Sequence, residues 1–491
     1  MKTWAKVALA SVGVVALLGG VVAYRTATFK PATQVDPNAV RIAEATPVVQ
    51  ATAALHLSQA IQIQTVSHQN KAENDWAQWD KLHAWLAATY PAAHAAMTRE
   101  ILPNKALVYT WQGSDPGLAP IILMAHQDVV PVTAGTEGDW KHPPFAGEIA
   151  EGAVWGRGSI DDKGTLVMMF EAADALAAKG FKPKRTVIFV SGQDEEAGGS
   201  GARAAAALLK ARGVKALLVL DEGMAVVKDF PMVGRPVAVV GIAEKGYATL
   251  KIVAPASGGH SSAPPKETGV ETLAKAVLAV TSHPFPMKFD GPGADMIRAI
   301  APYAGGIVKV AAANDWLFGP VLVNTLAKSP ASAATLHTTI APTMLQGSPK
   351  ENVLPQDATA WINYRIAPGQ TAAEVMARAK DVTRGMNVQL SWAGGVAADP
   401  SPVSSTTSPG WTLLAALASE KGSIPVAPGL VTAGTDSRYM SDVSGDIYRF
   451  SPIHASLNEF GMIHGTNEHM TLENITRMTD FFTRLIATAA G

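Results

Sequence analysis

Between residues 120 and 220, short runs that are apolar on both faces alternate with stretches of helical period. Pro120–Ala125 (PIILMA), Arg185–Ser191 (RTVIFVS) and Ala216–Leu220 (ALLVL) read as buried strands. Lys163–Lys179 and Ser200–Arg212 read as helices between them, the second closed by Gly213. Strands with no polar face need cover on both sides. The pattern therefore predicts an α/β sheet with helices over it.

From about Lys245 the period changes. In Tyr247–Ala254, Leu250, Ile252 and Ala254 share a face. In Ala358–Ile366, Ala358, Ala360, Ile362, Tyr364 and Ile366 face one way, and Asn363 and Arg365 the other. Such alternation predicts strands wet on one side. Val270, Leu273, Ala274, Val277 and Leu278, and again Val375, Met376, Ala379 and Val382, sit at helical spacing and would cover the dry side. Gln389–Trp392 reads as a last short strand. After residue 400 the first style returns, with helices at Trp411–Lys421 and Thr471–Ala490 and strands at Ile424–Leu430 and Tyr448–Ser451. The expected architecture is a mixed sheet flanked by helices, in two parts (48–244 and 398–491), with a small α+β domain inserted at 245–397. Phe285–Ala334, rich in Pro, Gly and Ala, shows no clear period and fits no element.

At the N-terminus, Lys2 and Lys6 precede an uncharged run, Val7–Tyr24, ended by Arg25. Its length lies between a signal-peptide core and a spanning helix. No small-x-small cleavage site follows directly, so residues 1–25 are expected to be an uncleaved membrane anchor rather than a removed signal. Residues 26–47 would be a linker. The basic end should stay inside, which leaves the body facing the periplasm or the outside, or secreted if the segment is cleaved.

Composition narrows the chemistry. The 491 residues are 48 % hydrophobic and 16 % charged, with net charge −1. Large cores are available, and no basic excess exists to release counterions from nucleic acid. There are no cysteines. Disulfides, thiolate sites and Cys nucleophiles are excluded, so a metal site must come from His, Asp and Glu.

Five such clusters stand just past apolar runs, where an open α/β sheet holds its ligands. His126-Gln127-Asp128 follows PIILMA. Residues i and i+2 of an extended segment point the same way, so Asp128 can stand behind His126 and fix its tautomer. Asp161-Asp162 lies in GRGSIDDKG, Asp194-Glu195-Glu196 follows RTVIFVS, Asp221-Glu222 follows ALLVL, and His464 lies in GMIHGTNE. Singly, these read equally as solvated acidic turns and a loop histidine. Together they supply two imidazoles and at least three carboxylates, a set suited to two divalent ions sharing one carboxylate. No G-x-S-x-G elbow and no H-E-x-x-H helix is present.

The order and wording of HQDVVPV, WKHPPFAG, GRGSIDDKG, DEEAGG, LDEG, GGHSSAPP and ENVLP resemble the co-catalytic zinc peptidases that include aminoacylase, glutamate carboxypeptidase and succinyl-diaminopimelate desuccinylase (peptidase family M-twenty). The wording is most similar to the branch of carboxypeptidase S and the N-fatty-acyl amino acid enzymes. The resemblance implies two divalent ions, with zinc the expected metal. His126 and Asp221 would bind one ion, Glu196 and His464 the other, and Asp161 would bridge them. Glu195 would be the general base and Asp128 would orient His126. Asp162 would follow the bridging Asp in a turn that the family builds with a cis peptide. His260, in the inserted lid or dimerisation domain, would reach a partner subunit's site and hold the oxyanion. Asn352 and Arg365 would grip the substrate's carbonyl and carboxylate, with Thr435 and Asp436 on a substrate-side loop. The implied activity is hydrolysis of an amide bond next to a free carboxylate, as a carboxypeptidase on short peptides or as an amidase on N-acyl amino acids. A homodimer through 245–397 is implied as well. A non-catalytic binding protein on the same fold would have lost a ligand or the base, and none is missing here.

Overall fold

The computed structural model describes residues 2–491, with backbone alone for residues 2–6, 8 and 10. Its larger sheet has eight strands, in the order Thr98–Ile101, Leu107–Trp111, Val187–Ser191, Ile121–Met124, Leu218–Val227, Ile447–Ala455, Val237–Glu244 and Val426–Val431. Ile121–Met124 runs parallel to both its neighbours, Val187–Ser191 and Leu218–Val227. Leu107–Trp111 is antiparallel to Val187–Ser191 and carries the antiparallel edge strand. Alternate residues of each apolar run feed cores on opposite faces. Ile121, Leu123, Val187 and Phe189 meet the helices Gln50–Ile61, Lys163–Ala178 and Leu472–Ala490. Ile122, Met124, Ile188 and Val190 meet Ser200–Ala211. That double cover is why these strands lack a polar face.

The second sheet is antiparallel, in the order Thr339–Gln346, Asp357–Ile366, Gly246–Pro255, Gln389–Ala398. Ala358, Ala360, Ile362, Tyr364 and Ile366 are buried, as their alternation predicts. Two helices cover this side, Gly269–Thr281 and Ala372–Val382. Each starts in a capping box, Thr268 with Glu271 and Thr371 with Glu374, which satisfies helix-end N–H groups.

The strands Leu107–Trp111 and Val237–Glu244 and the helices Gln50–Ile61 and Trp76–Thr89 have no counterpart in the sequence reading, and two further stretches differ from it. Thr339–Gln346 is a strand that hydrophobic pattern did not mark, because it is an edge strand with most residues exposed. The segment that fitted no element forms the helices Gly291–Ala304, Gly306–Ala313, Asp315–Leu326 and Pro330–Ala334. The first seats Ile297, Ala299 and Ile300 against Val237, Val239 and Ala427 of the larger sheet.

Lys2–Thr28 is one helix, and its stretch Ser11–Thr28 is long and apolar enough to cross a membrane. The chain that follows has almost no regular structure up to Gln50 but lies against the body. Trp411 Nε1 donates to the Thr33 carbonyl, and the Ala43 amide donates to Thr488 Oγ1.

Candidate metal centre

The ends of the parallel strands bring the chemistry together. His126 comes two residues after Ile121–Met124, and its side chain is buried. Its Nε2 faces Asp161 Oδ1 at 2.9 Å and Glu222 Oε1 at 3.4 Å. Asp161 Oδ2 lies 3.0 Å from His464 Nε2, which is also 3.0 Å from Glu196 Oε1. One Asp161 oxygen thus serves each imidazole. A carboxylate between two ions has this arrangement.

Asp128 ties the first histidine to the acidic turn. Its Oδ1 is 3.3 Å from His126 Nδ1 and accepts the Glu195 amide at 3.1 Å. Its Oδ2 accepts the Glu196 amide at 3.2 Å and the Ser67 hydroxyl at 2.5 Å. A single buried carboxylate therefore sets both the imidazole plane and the backbone that carries the expected base.

The Asp161–Asp162 peptide bond is cis. Asp162 Oδ2 accepts the His126 amide at 3.2 Å, while its Oδ1 is buried with no partner. The charge surplus is plain. Asp161, Asp162, Glu195, Glu196 and Glu222 crowd two histidines, and among the described residues no Lys or Arg pairs with any of the five. Burial, then the negative neighbour Asp161, pushes Glu222 up to about 8. Burial raises Glu195 and Glu196 as well. Clustered carboxylates with raised pKa want cations. The groups His126–Asp162–Glu222 and His126–Asp161–Glu196 each place their donor atoms within 4.8 Å of one another. Of the two aspartates, Asp161 faces both histidines, whereas Asp162 spends one oxygen on the His126 amide.

Asp221 is not in the cluster. Its Oδ2 accepts the Ser437 amide at 2.7 Å and its Oδ1 the Glu222 amide at 3.0 Å. The resemblance implies Asp221 beside His126 at the first ion; the carboxylate that faces His126 is Glu222, one residue on. The strand bulges here, its register against Ile447–Ala455 shifting between Asp221 and Met224, and Gly223 takes a φ of 142° that suits glycine alone, so that Glu222 faces His126. Asp221 instead holds the 435–437 loop.

Glu468 carries a role that the sequence did not reveal. It is buried, and its carboxylate pairs with Arg157 Nη1 at 2.8 Å. It also accepts the amides of Gly158 at 3.1 Å, Ile160 at 2.8 Å and Asp161 at 3.1 Å. Arg157 Nη2 in turn donates to the Gly465 carbonyl at 2.8 Å, beside His464. The pair clamps together the two loops that present Asp161 and His464. A glycine-rich loop with an arginine was visible in GRGSIDDKG, but nothing marked Glu468 as its partner.

The remaining expected residues lie around this cluster. Asp436 is buried, with Oδ2 unpartnered, and its charge bears on Glu195. Thr435 Oγ1 donates to Glu244 Oε1 at 2.6 Å, the acid that also pairs with buried Arg449. Arg365 stacks over the Tyr247 ring at 4.8 Å and has no carboxylate partner among the described residues. His260 is exposed on a two-stranded ribbon opposite Val353, and its Nδ1 accepts the Ser262 amide at 3.1 Å. Asn352, at the same ribbon, has its side-chain oxygen buried and unpartnered. No hydrogen bond or ion pair joins His260, Asn352 or Arg365 to the acidic cluster among the described residues.

Residues 122–488 match the family model described as peptidase family M20/M25/M40. The chain is 36 % identical over 437 residues to the N-fatty-acyl-amino acid synthase/hydrolase of Xenopus tropicalis, covering 88 % of this chain and 84 % of that one. It is 34 % identical over 444 residues to the probable carboxypeptidase S-like 2 of Dictyostelium discoideum, with 88 % and 84 % covered. It is 31 % identical over 465 residues to carboxypeptidase S of Saccharomyces cerevisiae, with 84 % and 80 % covered. The crystal structure of an M20 family metallo-carboxypeptidase from Sulfolobus solfataricus shares the fold, with a TM-score of 0.67 at 16 % identity over 89 % of this chain and 99 % of that one.

Proposed function

Because the chain belongs to peptidase family M20/M25/M40, and is by that membership a metallopeptidase or amidohydrolase, we propose that it removes the C-terminal amino acid from short peptides at a centre of two zinc ions. The observation that carries the reading is Asp161, with one oxygen facing His126 and the other facing His464. His126 and Glu222 would hold one ion, and Glu196 and His464 the other. Imidazole and carboxylate donors without thiolate suit zinc in a catalytic site.

Ions held there would make a water easily deprotonated near neutral pH and polarise the scissile carbonyl. Glu195, raised by burial, then accepts the water's proton on a carboxylate oxygen and delivers it to the leaving amine. Asp128 keeps the His126 ring in place. Arg365 offers a planar, unpaired guanidinium for the substrate's free carboxylate. His260 and Asn352, together on the Gly259–His260 ribbon, would close over the carbonyl when residues 245–397 act as a lid. Thr435 and Asp436 would line the substrate side.

Glu195→Gln tests the assignment. The variant should keep both metals and lose about 10²–10⁴-fold in turnover. Wild-type turnover would remove Glu195 from the role.

A second reading, amidase action on N-acyl amino acids including N-fatty-acyl ones, is supported by the 36 % identity to the Xenopus tropicalis enzyme. Both reactions release an amino acid with its carboxylate free, so the cluster serves either. Parallel assays on a dipeptide set and an N-acyl amino acid set separate them. We further propose that Lys2–Thr28 anchors an exported body. A second copy of the chain would pair through residues 245–397, where Leu278, Met344 and Leu345 stand exposed.

A further inference from the structure

The helices Gly306–Ala313 and Asp315–Leu326 depart from the rule that a surface helix has one apolar stripe. Asp315–Leu326 reads DWLFGPVLVNTL, with a single charge at its first residue. Leu322 and Leu326 are buried on its inner side. On its outer side, Trp316 is 52 % exposed and Val321 57 % exposed. Ile307, on the preceding helix, is 82 % exposed. Lys309 on the first helix and exposed Asn324 and Thr325 on the second are polar, but an outer face that carries Trp, Val and Ile belongs in a core or in lipid. None of the described residues covers this face.

An independent feature meets it here. The helix Lys2–Thr28, exposed along its membrane-length stretch, ends against the Gly306–Ala313 helix. Arg25 Nε donates to the Ala313 carbonyl at 3.2 Å, and Asn314 Nδ2 donates to Thr26 Oγ1 at 3.1 Å. Asn314 is buried at the junction of the two apolar helices. These bonds place the last turn of a membrane-length helix against Ala313 and Asn314, at the start of the Asp315–Leu326 helix. Tyr24 is next to Arg25 in sequence, and Trp316 is two residues past Asn314. Aromatic rings and a snorkelling cation are the side chains favoured where acyl chains give way to headgroups.

We propose that the Gly306–Ala313 and Asp315–Leu326 helices are a second membrane-seated element, with Ile307, Trp316 and Val321 entering the surface of the bilayer that Lys2–Thr28 crosses. The partner is lipid. A helix lying in this way sinks its apolar face about 5–10 Å into the headgroup and acyl boundary. The body is then docked in one orientation on the membrane rather than tethered by a single helix. For its orientation the inference rests on the anchor reading above.

The chain's lack of cysteines allows a direct test on the full-length protein. Single cysteines at Leu17→Cys, Ile307→Cys, Val321→Cys and Ile101→Cys would each carry a fluorophore, with the chain reconstituted in phosphatidylcholine vesicles with and without nitroxide-labelled phosphatidylcholine. Ile101 is exposed on the edge strand farthest in the sheet from Val426–Val431, the strand on which Gly291–Ala304 packs. Labels at 17, 307 and 321 should be quenched severalfold more than the label at 101. Quenching at 17 alone, with 307 and 321 matching 101, overturns the proposal and leaves the anchor standing. Quenching at 307 and 321 but not at 17 supports bilayer seating and overturns the span. No quenching at any position overturns both.

Discussion

Glu468→Gln should loosen the metal centre without touching a ligand. Glu468 and Arg157 form an ion pair at 2.8 Å, with side chains 0 % and 3 % exposed. The carboxylate also accepts three backbone amides on the loop that ends in Asp161. A carboxamide has one acceptor oxygen and one NH₂ group. Turned either way, it points donors at donors, towards Arg157 or towards the loop. Removing one member of a buried pair costs about 3–5 kcal/mol, because the other charge stays buried and unpaired. With an unfolding entropy of about 2.1 cal/mol/K per residue over a catalytic domain of roughly 290 residues, each kcal/mol shifts Tm by about 1.6 °C, so this is a drop of roughly 5–8 °C. The Asp161 amide loses its acceptor as well, so metal affinity should fall about 10–100-fold, as for other groups that orient ligands. Thermal melts with saturating zinc read the first effect, and metal content after dialysis against a weak chelator reads the second. Arg157→Met on top of Glu468→Gln removes the orphaned cation, so the double variant should melt higher than the single. A Glu468→Gln protein that melts with wild type and retains its metal, or a double variant that falls by the sum of the singles, would refute the clamp.

Three other outcomes follow from the same geometry. Glu222→Ala should lower the metal content by one ion per chain, whereas Asp221→Ala should keep both ions and disturb the 435–437 loop; elemental analysis decides, and the reverse pattern would restore Asp221 as a ligand. The metal-free protein should lose stability as pH rises: Glu222 is raised from 4.5 to about 8, by burial and then Asp161, and His464 from 6.5 to about 10, by hydrogen bonds to Asp161 and Glu196. Groups with raised folded pKa stabilise fully below their unfolded values, and that contribution fades as pH climbs through the folded ones. Asp161, held low by His126 and His464 despite burial, has the opposite sign, but only below its ordinary 3.8. Melting the chelated and zinc-loaded protein from pH 5 to 9 should show decline in the first alone, and a flat chelated profile would sink the argument. Arg365→Lys should raise KM with kcat nearly kept, costing about 10-fold in kcat/KM, since lysine cannot give the planar pair of donors; an unchanged KM would take the guanidinium out of carboxylate binding.

How far these residues could be read beforehand depended on what each one binds. His126, Asp161, Glu195, Glu196 and His464 stand beside apolar runs or glycine turns, and a charge at a buried strand end is conspicuous without any partner in view. Asp221 and Glu222 are adjacent, and which of them faces the cluster is set by a rotation at Gly223 that no period encodes. Glu468 was invisible for a different reason. Three of its partners are backbone amides, which leave no mark in a sequence. The segment Phe285–Ala334 hid its helices because Pro302 and Pro320 lie inside them and because Asp315–Leu326 carries apolar residues on its exposed as well as its buried side, so no single stripe repeats at helical spacing. In each case the unread feature couples two distant parts of the chain. Glu468 couples the Asp161 loop to the His464 loop, and Asp221 couples one strand end to the Ser437 turn. Pattern along a chain reports what a segment buries, whereas the alignment of a two-ion site depends on which loops are tied to which. The clamp residues should therefore tolerate substitution less well than their positions on loops suggest.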